Sequence, residues 1–450
     1  MDLPSPAQAF TPEIRFLYDL QRGETRLGLE TTRRLLQSLG SPERQVPVVH
    51  VAGTNGKGST TAYAAAMLQS AGWRVGRFTS PHVLSVEERV CIDGVPIEAS
   101  AFAARVREAR PHIERSGASF FEAMTALAAW IFADAGVDAA VYEVGLGGRL
   151  DATNALPAQV SIVTSIGHDH EAILGRGLRA ICSEKLGIAR PGVPLYAALE
   201  RRDLVLLARE HCARQGAPFH LLPPQLVQVH GLELGGGMQF SLAVPGGERL
   251  WTHFLGAHYG RNAALAVLAA TELVERRGAG RIDVPRATAS AFLPGRFQLL
   301  PQWKGSPLLI LDVAHNPEAL RSTLEVARAV LGSARPSVVL GMLRDKHLGG
   351  ASEFLRGFAR RVWVTAPAVA RAWEPQEAAA ELRASAPDLE VEIEANAVTA
   401  LDRAREAGAP VLVLGSHYLA GEVLPHLAAE RGVPARDLVA APQSASTAPA

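Results

Sequence analysis

The segment VVHVAGTNGKGSTTAYAAAML (48–68) gathers the residue types that handle phosphate groups. A β-branched run leads into Gly53, Thr54, Asn55, Gly56, Lys57, Gly58 and Ser59, and an alanine-rich helical stretch follows. In that order, backbone N–H groups of the turn and of the helix start face phosphate oxygens, and Lys57 adds positive charge at the β and γ positions. Asn55 and the three glycines let the backbone approach the ligand closely. The strict pattern G-x-x-x-x-G-K-[ST] is not met, however. Val51 stands where its first glycine belongs, and Gly58 follows the lysine where a metal-binding hydroxyl belongs. A glycine-rich turn with a merely solvated Lys57 is the alternative, and the strand–turn–helix order favours the phosphate cradle over it. A bound metal then needs Ser59, Thr60 or a residue elsewhere in the chain. Glu143, Asp312 and His315 also follow apolar runs, the places where α/β folds bind ligands. For Asp312 and His315, position alone leaves site and scaffold equally open.

These residues need a scaffold, and the pattern is α/β throughout. VPVVHVAG (46–53), DAAVYEVG (138–145) and QVSIVTSIG (159–167) read as buried strands, and a helix is expected from about Ser59 to Ala71. FFEAMTALAAWIFADAG reads as an apolar helix packed on a sheet face. A second α/β series starts near residue 300 with SPLLILDVAHNP, SVVLGMLRD, RRVWVTAP and PVLVLGSHY. Between the two series, FLPGRFQ (292–298) carries a Pro-Gly turn suited to a linker. The expected organisation is a domain over 1–295, a second over 296–440, and a disordered polar tail over 441–450.

Composition narrows the function. Lys plus Arg and Asp plus Glu each number 45 in 450 residues, and the pI is near 7.3, so no global field draws in nucleic acid or an anionic membrane. Small-molecule partners and a monomer are expected. Cys91, Cys182 and Cys212 are scattered, without a CxxC pair, so neither a disulfide framework nor a zinc site is expected. The start, MDLPSPAQAFTPEIRF, has no basic region followed by an apolar one, and no apolar run has the length of a membrane span. A reducing, cytoplasmic location is expected.

GTNGKGST, FTSPHVLSVEERV, EVGLGGRLDATN, TSIGHDHEAILG, SEKLGIARPG, PGRFQ, LDVAHNP, GMLRDK and VLGSHY occur in the order found in folylpolyglutamate synthases. The chain resembles that family, including its bacterial bifunctional dihydrofolate synthase/folylpolyglutamate synthases, a branch of the Mur ligase superfamily. The resemblance runs from Gly53 to Tyr418. It implies a P-loop N-terminal domain with a parallel-rich central sheet and a smaller Rossmann-like C-terminal α/β domain, with ATP and substrate held between them. It further implies Mg²⁺ at Ser80, Glu143 and His170. Carboxylate and hydroxyl oxygens suit that hard cation, while imidazole is less typical. Lys185 would be carbamylated, becoming an anionic ligand. Thr54 to Ser59, Asn262, Arg296 and Asp312 would hold ATP, with Asn262 near adenine, Arg296 on phosphate and Asp312 on ribose. His315 and Ser416 would lie by the incoming glutamate. Phe121, Arg149, Asp151 and Ala152 would contact the pterin. Arg26 stands where bifunctional members often carry an aspartate, which weakens the dihydropteroate contact at that end.

The implied reaction is ATP-dependent ligation of L-glutamate to a folate, and to dihydropteroate, through an acyl phosphate. Lys57, Lys185 and His315 would act in catalysis by positioning and electrostatics, without a covalent nucleophile. The alternatives are a monofunctional folylpolyglutamate synthase, a Mur-type ligase on a cell-wall precursor, and a P-loop switch protein.

Overall fold

A computed structural model describes residues 10–22, 28–235, 237–300, 302–346, 348 and 351–440. Arg26 and the tail 441–450 lie outside the described residues.

The first sheet is built from β1 (Val48–Ala52), β2 (Val75–Phe78), β3 (Val90–Ile92), β4 (Val95–Pro96), β5 (Ala139–Glu143), β6 (Ala158–Val163), β7 (Leu195–Ala197) and β8 (Phe219–Leu221). Its order is β4-β3-β2-β5-β1-β6-β7-β8, parallel from β2 to β8, with β3 and β4 added antiparallel at one edge. Central β1 is buried along its whole length. Its alternate residues serve opposite faces: Val49 and Val51 join one apolar cluster and Val48 another. Both faces of a parallel sheet must be covered, which is why VVHVA shows no polar alternation.

The helices Lys57–Ser70 and Ala257–Arg277 cover one face, and Glu30–Ser38, Ala99–Ser116 and Phe120–Asp134 the other. The apolar helix Phe120–Asp134 starts in a capping box, where Ser119 Oγ and N each donate to Glu122 Oε2 at 2.7 and 2.9 Å. The helix after β1 begins at Lys57, two residues before the sequence expectation. Gly56, in the left-handed region at φ 84°, turns the chain early enough for the lysine to enter the first turn.

A small antiparallel sheet of β9 (Val227–Glu233), β10 (Gly237–Leu242) and β11 (Leu250–Thr252) follows. The last sheet comprises β12 (Gln298–Leu300), β13 (Leu309–Asp312), β14 (Ser337–Leu340), β15 (Arg361–Val364), β16 (Val391–Ile393) and β17 (Val411–Leu414), in the order β12-β13-β17-β14-β15-β16. All its pairs are parallel except that of the edge strand β12. The protein is therefore an α/β fold with a mixed, mostly parallel eight-stranded sheet and a mostly parallel six-stranded sheet. Among the described residues no helix is long and apolar enough to cross a membrane. All three cysteines are buried and free.

Candidate active site

The loop after β1 is locked to the exit of β6. Thr54 N donates to Ser165 O at 2.8 Å, Asn55 N to Ser165 Oγ at 3.0 Å, and Thr164 Oγ1 to Asn55 O at 2.6 Å. Asn262 lies against Gly56 and donates to Ser59 Oγ at 2.9 Å. Lys57 Nζ donates to Thr54 O at 3.0 Å. Burial lowers its pKa, and Glu143 and Asp169 pull it back up. Lys185 Nζ donates to Gly53 O at 2.8 Å. Burial first and the charge of Lys57 second depress its pKa to about 7.

Glu143 ends β5 and is only 3% exposed. Burial raises its pKa, opposed by the nearby Lys57 charge. Its Oε2 accepts from Ser80 N at 3.0 Å. A Cβ placed on Gly58 would stand 2.7 Å from Leu293 Cδ2 and 3.3 Å from Glu143 Oε2. Leu293 thus fills the space into which a side chain at position 58 would project, and the carboxylate borders it. A carboxylate at the end of β5 therefore lies beside the position where the strict loop pattern carries a hydroxyl.

The strand ends of the six-stranded sheet close over this loop. Asn55 and Asn316 exchange amide hydrogen bonds at 2.9 and 3.3 Å, and Asn316 Oδ1 also caps the helix Pro317–Leu331. Lys346, after β14, donates to Asp169 Oδ1 at 2.5 Å, with His170 Nε2 at 3.5 Å. Burial alone would raise Asp169, but His170 and Lys346 hold it well below the usual carboxylate range. Burial pushes His170 down to about 4. His315 donates Nδ1–H to Val313 O at 2.9 Å, which leaves Nε2 as an acceptor. Burial takes its pKa to about 4, so the imidazole is neutral at pH 7. Arg296 is half-buried and makes no hydrogen bond or salt bridge to a described residue, so its guanidinium is left to act through space.

Other residues singled out in the sequence turn out to have local partners. Asp312 Oδ2 accepts from Phe297 N, and Oδ1 from Ala314 N, both at 2.7 Å. Ser416 Oγ caps the helix His417–Arg431 by accepting from Leu419 N at 3.0 Å. Asp151 accepts from Leu146 N, Thr153 N and Thr153 Oγ1, which stiffens its own loop around buried Ala152. Arg149 is exposed and pairs with Glu184. Phe121 packs on Phe78 and lies so close under Gly145 that a Cβ there would stand 2.5 Å from Cζ.

Sequence reasoning missed Asp169, Asn316 and Lys346, which knit the two strand-end rims together. It also missed Arg89, buried with Nε donating to His82 Nδ1 at 2.9 Å, and His417 beside Ser416. The available signal was their position inside segments already noted: HDH, HNP, RDK, ERV and GSHY.

A lysine-bearing phosphate loop on one parallel sheet, a buried carboxylate beside its helix start, and a second set of strand ends closing over both define an ATP-using ligase of the Mur type. Residues 295–417 match the Mur ligase, glutamate ligase domain. A dihydrofolate synthase/folylpolyglutamate synthase of Bacillus subtilis is 37% identical over 330 residues, 71% of this chain and 76% of the relative. Among solved structures, Mycobacterium tuberculosis folylpolyglutamate synthase complexed with ADP and AMPPCP superposes with a TM-score of 0.83 at 29% identity, covering 92% of this chain and 98% of that one. E. coli FolC in complex with DHPP and ADP gives 0.79 at 30% identity, covering 95% and 100%. A bifunctional folylpolyglutamate synthase/dihydrofolate synthase with Mn, AMPPNP and L-glutamate bound gives 0.77 at 26%, covering 95% and 100%. The chain belongs to the dihydrofolate synthase/folylpolyglutamate synthase family and is an ATP-dependent ligase.

Proposed function

We propose that this ligase joins L-glutamate to both dihydropteroate and tetrahydrofolate by way of an acyl phosphate. The observation that carries this is the meeting of Lys57, Glu143 and Lys185 on one rim with His315, Asn316 and Lys346 on the other. The acceptor's carboxylate attacks the γ-phosphorus and ADP leaves. The amine of glutamate then attacks the acyl carbon and phosphate leaves. Lys57, Arg296 and the loop N–H groups neutralise charge on the transferring group, and the closed rims exclude water from the acyl phosphate. His315 Nε2, a lone-pair acceptor on a neutral ring, suits a hydrogen bond from the glutamate nitrogen.

The donor set fits a magnesium ion, because Glu143 is a buried carboxylate with one backbone donor and no salt bridge among the described residues. Glu143 and Ser80 would hold it, with His170 at the rim, and the ion would offset phosphate charge. Lys185, with a pKa about 7, has a large neutral-amine fraction at physiological pH, the form that takes up CO₂. This supports its carbamylation. The division into units 1–295 and 296–440, a monomeric state and a cytoplasmic location complete the proposal, as do the adenine, ribose and pterin contacts assigned to Asn262, Asp312 and Phe121, Arg149, Asp151 and Ala152.

The test is incorporation of labelled glutamate with Mg-ATP into dihydropteroate, tetrahydrofolate and a cell-wall nucleotide precursor. Labelling of both folates is expected. Labelling of tetrahydrofolate alone makes the enzyme monofunctional, and labelling of the precursor alone overturns the proposal.

A further inference from the structure

His50 sits in the middle of β1, the strand that leads into the phosphate loop, and is completely buried. Its neighbours Val49 and Val51 pack in the apolar cluster shared with the helix Lys57–Ser70, so His50 points to the opposite face of the sheet. There its Nε2 lies 2.8 Å from Thr153 Oγ1, and Nδ1 has no hydrogen-bond partner among the described residues. A ring held for packing alone has apolar substitutes that leave no polar atom stranded. Burial, followed by the charge of Arg190, takes the imidazole pKa down to about 3, so the ring is neutral and carries one N–H.

Where that N–H lies follows from the next partner. Thr153 Oγ1 donates to Asp151 Oδ1, which also accepts from Thr153 N at 3.0 Å, while Oδ2 accepts from Leu146 N at 2.8 Å. Three donors suit an ionised carboxylate, which only accepts. The hydroxyl has a single proton and directs it to Asp151, so Thr153 Oγ1 accepts from His50 Nε2–H. Nδ1 is then an unmet lone pair. The reverse arrangement, a protonated Asp151 donating along the chain, would strand a buried N–H on Nδ1, and orphaned buried N–H groups are rarer than unmet acceptors. His50 thus holds the chain in one direction, and Asp151 remains the acceptor that ties Leu146 to Thr153.

The loop between those two residues carries Arg149, Asp151 and Ala152, assigned above to the pterin. Its far side is fixed by Asn154, whose Nδ2 donates to Arg149 O at 3.0 Å and to Gly187 O at 3.1 Å. On its near side His50 links it to the strand that delivers Gly53 and Lys57. The separation between an acceptor lying on this loop and the γ-phosphate of ATP therefore depends on that link. We propose that His50 is a positioning residue for the acceptor substrate: through Thr153 it fixes the Asp151 loop, and with it the pterin end of dihydropteroate and tetrahydrofolate, relative to the phosphate loop. This deepens the pterin assignment proposed above and rests on it.

The experiment measures initial rates of the full chain with Mg-ATP for His50→Leu, which removes both nitrogens, and His50→Gln, which keeps a side-chain donor at the level of Nε2. In His50→Leu the KM for dihydropteroate and for tetrahydrofolate is expected to rise about fivefold, the loss of one neutral hydrogen bond from the loop. The KM values for ATP and glutamate should stay within about twofold, and His50→Gln should recover most of the acceptor binding. Selective ¹⁵N-histidine labelling of the parent should show the His50 ring, identified by the resonances missing from His50→Gln, as the Nε2–H tautomer. Melting temperature and ADP affinity check folding, and Thr153→Val cuts the same link from its other end if the leucine variant fails them. Unchanged acceptor KM values in the folded variant overturn the proposal. An equal loss for ATP and glutamate, the mark of a merely structural role, overturns it too, as does an Nδ1–H tautomer. Asp151→Ala tests the pterin assignment by itself: acceptor KM values unmoved by it detach the loop from the pterin, and the proposal falls with that assignment. A parent inactive with both acceptors sinks the ligase function itself, a distinguishable result.

Discussion

Asp312 offers a sharp test of what a strand-end carboxylate is for. Its two oxygens each accept a backbone N–H at 2.7 Å, from Phe297 and Ala314, which ties the approach to β12 to the exit of β13. Asp312→Ala leaves both buried donors unmet. At about 1–3 kcal/mol each, a loss of roughly 2–6 kcal/mol is expected. Asp312→Asn keeps one acceptor oxygen and turns an NH₂ toward the other N–H, for a loss of about 1–2 kcal/mol. Burial raises the pKa of Asp312 despite these bonds and the charge of Arg296. A carboxyl with a folded-state pKa above its unfolded value favours folding below the unfolded value and loses that contribution as pH rises. Relative to the asparagine variant, the parent should therefore gain stability as pH falls from neutral toward the usual carboxylate range. Urea unfolding, followed by tryptophan fluorescence (Trp363 lies on β15) and far-UV circular dichroism, measures both effects, with ADP affinity determined alongside. If both variants unfold at the parental midpoint while ADP affinity falls, the scaffold argument fails and the carboxylate serves the nucleotide alone.

Lys57→Ala should lower ligation by about 100-fold or more while leaving the urea midpoint near the parental one, because the lysine is held by a single carbonyl and its buried charge is unfavourable. Near-parental turnover would remove Lys57 from the phosphate site. Glu143→Gln should raise the Mg²⁺ concentration needed for half-maximal rate about tenfold or more, and superimposed Mg²⁺ titrations would show that Glu143 is no ligand. For Lys185 the folded pKa of about 7 lies below the ordinary lysine value of 10.5. The unfolded chain binds more protons between those values, so parental stability relative to Lys185→Met should rise with pH across that window. A ¹³C carbamate resonance should also appear when the parent is given labelled bicarbonate and Mg²⁺. An active Lys185→Arg variant would rule the carbamate out.

The strands were legible because a parallel sheet with both faces covered demands unbroken apolar runs, and VVHVA, AAVYE and VLVL supply them. The sheet of β9–β11 was not anticipated. Its first strand, VQVHGLE, alternates in exposure and carries a glycine, a weak signal. In the candidate site, the phosphate loop could be located from glycine spacing and strand order. What pairs with what could not: Asn55 and Asn316 are 261 positions apart, and Asp169 and Lys346 are 177 apart. Residue type also conceals which polar atoms the backbone has already claimed. Asp151, Asp312 and Ser416 look alike in sequence as free oxygen donors, yet each has backbone N–H groups as partners.

Gly58 has an implication for how such loops are recognised at all. A search by residue identity counts position 58 as a defect, since it expects an oxygen-bearing side chain there. In three dimensions a carboxylate lies beside that position, delivered by a strand that enters the chain 85 positions later, and Leu293 packs into the space that a side chain there would take. On the proposed function, a hydroxyl in the loop and a carboxylate on a neighbouring strand end are then two ways of meeting one spatial requirement. A side chain at 58 would have to displace Leu293 and would crowd the carboxylate of Glu143, so a change at 58 calls for changes around it. Loops of this kind are better grouped by which strand end supplies the oxygen than by how closely they spell a consensus.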